Sequence, residues 1–80
     1  MDISEENQIW LNWIGNSQNK RLVIEIGPNN TKSIKLIILE KGLPKFITKK
    51  GSYSLDLLIS EVKEQFGLHN LSNKIFPNQL

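Results

Sequence analysis

Eighty residues with ten Lys/Arg, eight Asp/Glu, one histidine and no cysteine give a net charge of +2. A chain this short folds as one domain burying only about 60% of its unfolded surface, which leaves no room for a second domain; without cysteine, a disulfide framework and a thiolate zinc site are both excluded. The acidic start Met1-Asp2-Ile3-Ser4-Glu5-Glu6 suits no targeting peptide, and the longest apolar run, Leu36 to Leu39, is far short of the roughly 20 residues of a membrane span, so the expected setting is a reducing cytoplasm with no membrane partner.

Charge is unevenly placed. Residues 20–50 hold eight bases against Glu25 and Glu40, a surplus of six, between segments of −3 (residues 1–19) and −1 (residues 51–80). Such a layout offers a positive field to an anionic partner. Ile, Lys and Asn make up 29 of the 80 residues, the bias of AT-rich coding sequence of phage or mobile-element type, and that bias with ordinary solvation also accounts for many lysines.

Taken in order, Asp2 can cap a first helix, with Glu5 reaching back to the cap amide. The helix is expected to run to a left-handed stop at Gly15-Asn16. Ile3, Trp10 and Ile14 fall on one line of it, Ile9 and Trp13 on the adjacent line, and Leu11 away from both. Arg21 to Ile26 alternates as a first strand, and Gly27-Pro28-Asn29-Asn30-Thr31 has the chemistry of a turn. Ser33 to Glu40 is the most apolar and most β-branched run. Ile34, Leu36 and Ile38 face one way while Lys35, Ile37 and Leu39 face the other, and a strand apolar on both sides belongs in mid-sheet.

Lys41-Gly42-Leu43-Pro44 turns the chain into a third strand, Lys45 to Lys49. Ser52 or Ser54 caps a second helix, with Asp56 near its positive end. Leu55, Leu58, Ile59, Val62 and Phe66 recur at helical spacing, while Asp56, Ser60, Glu61, Lys63, Glu64 and Gln65 take the wet side, and Gly67-Leu68 is expected to end the helix. The predicted fold is therefore α+β, a small α-β-β-β-α domain with a three-stranded antiparallel meander in order 1-2-3 packed by two helices. Residues 1–67 form that domain, and residues 68–80 a C-terminal tail in which Leu71, Ile75, Phe76 and Leu80 offer a sticky extension.

Chemistry-bearing groups do not converge. His69 is the only histidine; Glu5, Glu6, Asp56, Glu61 and Glu64 are spaced as solvated helix carboxylates; Gly27, Gly42, Gly51 and Gly67 read as turn or helix-stop glycines. The expectation is of no catalytic, metal-binding or cofactor-binding residue, and no cofactor.

Two tryptophans three positions apart are a large aromatic load of the kind that interface hot spots favour. If both helices pack on one face of the sheet, Val23, Lys35, Ile37, Leu39 and Ile47 line the other, an apolar surface ringed by lysines. Candidate partner-binding residues are thus Trp10, Trp13, Val23, Lys35, Ile37 and Ile47. For nucleic acid the candidates are Lys20, Arg21, Asn29, Asn30, Lys32, Lys45, Lys49 and Lys50, with Lys49-Lys50 ahead of the second helix the best single spot. A lone arginine in that set makes any such binding charge-driven and salt-sensitive.

The order helix, three antiparallel strands, helix is similar to that of double-stranded RNA-binding domains. Gly27-Pro28-x-Asn30 resembles that family's Gly-Pro-x-His loop, with Asn30 in place of the histidine, and Lys49-Lys50 stands roughly where its basic cluster precedes the last helix. The second helix lacks the family's alanine-rich face, so the likeness is one of architecture. The expected function is a non-enzymatic regulatory or inhibitory module that binds a larger protein or nucleoprotein complex. The alternatives are a nucleic-acid binder using residues 20–50, and a structural subunit completed as a homodimer through the sheet face or tail.

Overall fold

Ser4 starts the first helix, its hydroxyl accepting the backbone N–H of Asn7 (3.3 Å). The structure is a computed structural model that describes residues 3–79, with side chains described for residues 3–68. The elements are α1 (Glu5–Gly15), β1 (Lys20–Ile26), β2 (Lys32–Glu40), β3 (Leu43–Gly51) and α2 (Leu55–Gln79), with one turn of tight helix, Pro28–Asn30, joining β1 to β2. This is the α+β arrangement expected, with the sheet antiparallel in order β1-β2-β3.

The helix ends differ from expectation. Asp2 lies outside the described residues, and Ser4 caps α1 with Glu5 and Glu6 behind it in the first turn, where acidic side chains favour the positive end of the dipole. Asn16 closes α1 in a right-handed conformation (φ −91°), its N–H donating to the Asn12 carbonyl, so no left-handed stop forms at Gly15. Ser54, not Ser52, caps α2: its hydroxyl accepts the Leu57 N–H at 3.2 Å and its carbonyl the Leu58 N–H at 3.1 Å. Gly67 is not left-handed, and α2 continues through it to Gln79. A mid-helix glycine costs only about 1 kcal/mol relative to alanine, too little to end a helix unless the chain beyond it turns away. The side chains of His69, Leu71, Ile75 and Phe76 lie outside the described set, as does Leu80.

The β2–β3 turn sets the register of the whole sheet. Lys41 (φ +54°) and Gly42 (φ +79°) are both left-handed, the geometry of a two-residue hairpin turn whose twist matches that of the strands, so Glu40 pairs with Leu43. One row across the sheet then reads Leu22, Leu36, Ile47, and the next Arg21, Ile37, Phe46. Alternation sends successive rows to opposite faces.

Both helices cover the face that carries Ile34, Leu36 and Ile38. These three are buried with Trp10, Ile14, Leu55, Leu58, Ile59, Val62 and Phe66, and Ile3, Leu11, Leu22 and Ile47 pack against the cluster. Every member of the α2 pattern read from the sequence is buried. On α1 the stripe is turned slightly from its expected line: Leu11 packs against the core while Ile9 is exposed. Ile47 also belongs to this covered face. A connection of odd length would have set it beside Ile37, but the two-residue turn sets it beside Leu36.

The two helices are joined by a polar clasp. Asn7, 3% exposed, stands on the same line of α1 as Ile3, Trp10 and Ile14. Its amide Nδ2 donates to Asp56 Oδ1 (2.8 Å), Ser60 Oγ (2.9 Å) and the Asp56 carbonyl (3.1 Å), while Asp56 Oδ1 also accepts the Ser4 backbone N–H (2.9 Å). These bonds hold the Asp56 carboxyl below the usual aspartate range, the Ser4 N–H being the larger cause and the Asn7 amide the next. Asp56 and Ser60 are therefore structural partners of Asn7 as well as members of the wet side.

Candidate partner-binding face

The face of the sheet turned away from the helices has no cover among the described residues. Val23, Ile37, Leu39, Pro44 and Phe46 give it an apolar middle, with Val23 37%, Leu39 46% and Phe46 59% exposed. Arg21, Lys35 and Lys50 add three cations and Glu25 one anion on the same face. Lys35, at the centre, holds its Nζ 5.7 Å from the centroid of the Phe46 ring, a cation over an aromatic face. A β-branched, pleated surface of this kind is rigid, because each position is fixed by ladder bonds on one or both sides. Three strands over some seven residues present roughly 350 Å² of projected area.

The candidate residues fall into three groups. Val23, Lys35 and Ile37 do come together on the open face. Trp10 is core, 9% exposed, with its ring 6.3 Å from that of Phe66, and Ile47 is half-buried under the helices. Trp13 is 51% exposed at the C-terminal end of α1, its ring 5.8 Å from Phe66 and capped by Lys20 Nζ at 4.9 Å, on the helix side of the molecule and so away from the open face.

The basic candidates are divided between faces. Arg21 and Lys50 lie on the open face, whereas Lys20, Lys32, Lys45 and Lys49 lie in the registers of the helix side. Several of the latter have partners already. Lys20 Nζ donates to Asn19 Oδ1 and Ser17 Oγ besides covering Trp13; Lys45 pairs with Glu40 at 3.2 Å; Lys32 Nζ donates to the carbonyls of Asn30 (3.2 Å) and Tyr53 (3.1 Å), tying the β1–β2 turn to the start of α2. Asn29 and Asn30 are left-handed at that turn (φ +57° and +61°), which asparagine tolerates better than other side chains. Lys49 and Lys50 point to opposite faces and form no single cluster ahead of α2.

Tyr53 fills part of the space there. A Cβ on Gly51 would run into its ring, and its hydroxyl donates to Glu61 Oε1 at 2.6 Å, a bond that raises the phenol pKa above its ordinary value. No group of three or more His, Asp or Glu side chains comes together among the described residues, and no described helix is long and apolar enough to cross a membrane.

Phe46 is the aromatic member of the open face, and the sequence reading leaves it out. Its signal is the two-residue turn: once Glu40 pairs with Leu43, parity places Phe46 beside Ile37. Compared with known proteins, the chain matches no protein-family model, no curated protein and no solved structure.

Proposed function

We propose that this chain is a non-enzymatic binding module of regulatory or inhibitory type that docks its open sheet face on an acidic, apolar surface of a larger protein or nucleoprotein complex. The observation that carries this is the pairing, on one rigid face, of exposed Val23, Leu39 and Phe46 with Arg21, Lys35 and Lys50. Burying exposed apolar area supplies about 25 cal/mol per Å², and three cations against one carboxylate select a partner of opposite sign. A chain without cysteine suits a reducing cytoplasm.

Nucleic acid is the second candidate partner, on one observation: Phe46 with Lys35 over its ring is a stacking platform with a cation beside it. The division of the remaining lysines between two faces favours a protein, because a phosphate track needs its cations in line.

The test uses the tagged chain as bait in a lysate, with and without nuclease, comparing Ile37→Glu and Phe46→Glu with Trp13→Ala and checking each fold by circular dichroism. A partner that survives nuclease, is lost by both open-face variants and is kept by Trp13→Ala supports the proposal. Binding unchanged in folded Ile37→Glu and Phe46→Glu refutes it. Capture that vanishes with nuclease, joined by a duplex or single-strand gel shift that weakens steeply between about 50 and 200 mM salt, assigns the face to nucleic acid instead.

A further inference from the structure

The two edges of the sheet are built differently. The Glu40–Leu43 pair closes the β2–β3 hairpin with ladder bonds, so the outward-pointing backbone of β3 belongs to Pro44, Phe46, Thr48 and Lys50. Proline there has no N–H to offer, and Lys45, Lys49 and Lys50 are spread along the same strand, the usual devices that keep an edge from pairing. The β1 edge has neither device between Leu22 and Ile26.

Two hydrogen bonds fix which way β1 points. Leu39 N–H donates to the Asn19 carbonyl (2.8 Å) and Gly27 N–H to the Thr31 carbonyl (2.7 Å), so odd-numbered residues of β1 bond to β2. The N–H and C=O of Lys20, Leu22, Ile24 and Ile26 therefore point outward, and no hydrogen bond among the described residues meets them. Ile24 and Ile26 are 39% and 64% exposed although they sit on the helix side, so α1 covers the Leu22 half of this strand and leaves the other half open.

We infer that β1 pairs antiparallel with β1 of a second copy of this chain, about a two-fold axis at Val23. This goes beyond the proposed function and does not depend on it. Only that register sets all seven residues of one β1 against all seven of the other. It pairs Leu22 with Ile24 of the second copy and Lys20 with Ile26, satisfying every outward N–H and C=O of both strands. It also sets Arg21 opposite Glu25 of the second copy, twice by symmetry, in the non-hydrogen-bonded positions where side chains come closest. Val23 meets Val23 between the two ion pairs. The strand is thus complementary to itself in charge: the cation and the anion are equidistant from its midpoint.

Symmetry also resolves the crowding on the helix side. The half of β1 that α1 covers in one copy lies beside the half it leaves open in the other, so the exposed Ile24 and Ile26 fall under the partner copy's helix end. The product is a six-stranded sheet whose open face has twice the area, roughly 700 Å², close to the 800 Å² that each side of a standard interface contributes.

Sedimentation of the full chain over a concentration series tests this, together with charge reversal at the two positions. A dimer should form, and Arg21→Glu or Glu25→Arg alone should each raise its dissociation constant by about tenfold or more, since like charges then face each other twice. The double variant Arg21→Glu/Glu25→Arg should return to within about threefold of the parent, and an equimolar mixture of the two single variants should form the heterodimer more tightly than either variant pairs with itself. Circular dichroism confirms that each variant is folded. A chain that remains monomeric to about 1 mM overturns the inference. So does a dimer indifferent to both reversals, or assembly that continues past two copies.

Discussion

The two faces of the same three-stranded sheet have opposite fates. Leu22, Leu36 and Ile47 form a row that ends under two helices, while Arg21, Ile37 and Phe46, one residue away on each strand, form a row with nothing over it among the described residues. β2 is apolar on both sides, and the fold consumes only one of them. Exposed apolar surface on a small domain is tolerated at the level of single residues, and it is the contiguity of the patch on this face, with three cations around it, that motivates the proposal of a partner there.

The largest expected effect comes from the covered side. Leu36→Ala should cost about 2–5 kcal/mol by chemical denaturation, from a total of roughly 4–12 kcal/mol for a domain of this length. Its neighbour Ile37→Ala should cost under about 1 kcal/mol. Equal losses at the two positions would break the contrast between the faces.

Next is the clasp that brings α1 onto the same side as α2. Asn7→Ala removes a donor from three acceptors and should destabilise by about 1–3 kcal/mol in the same assay. The clasp also carries a pH signature. Because the folded-state pKa of Asp56 is depressed, its stabilising effect is present above the ordinary aspartate pKa and lost as pH falls through the lower, folded value. Stability should therefore decline below about pH 4, and Asp56→Asn should flatten part of that decline in an acid titration followed by circular dichroism.

Gly42→Ala comes third. Nothing lies within 4 Å of the added Cβ, so its cost is purely the left-handed backbone, about 1 kcal/mol. Lys41→Asn, at the other left-handed position of the same turn, should stabilise by a few tenths of a kcal/mol. Thermal melts of the pair read whether this turn holds the register that separates the two faces.

Much of this architecture was legible in the residues. The five apolar positions from Leu55 to Phe66 repeat at helical spacing because one side of α2 is wholly buried, and Ser33 to Glu40 read as the middle strand because both of its faces are apolar. Other features lay in relations between distant residues. Ile47 and Phe46 exchange faces with the parity of a turn. A turn of two residues and one of four share that parity, so Ile47 belongs beside the even-numbered, covered residues of β2 on either length, and the alternation within β3 has to be carried across the turn to see it. Asn7 could have been suspected, as the one polar side chain on the line Ile3, Trp10, Ile14, but its partners Asp56 and Ser60 are some fifty residues away and look like ordinary solvated positions. Glycine was over-read as a stop at Gly67, where the helix simply accommodates it, whereas α1 does end at Gly15, closed by a right-handed Asn16 and not by a left-handed cap.

Since the chain has no cysteine, single replacements by cysteine can report each face by thiol labelling under native conditions. Phe46→Cys, on β3 and away from the β1 edge, should react about as fast as the same variant in denaturant, while Ile34→Cys should react only as fast as the domain opens. Strong protection of Phe46→Cys in the dilute, isolated chain, or free reaction of Ile34→Cys in a folded one, would contradict the division of the sheet into one face buried in the core and one left open to solvent, on which the proposed docking rests.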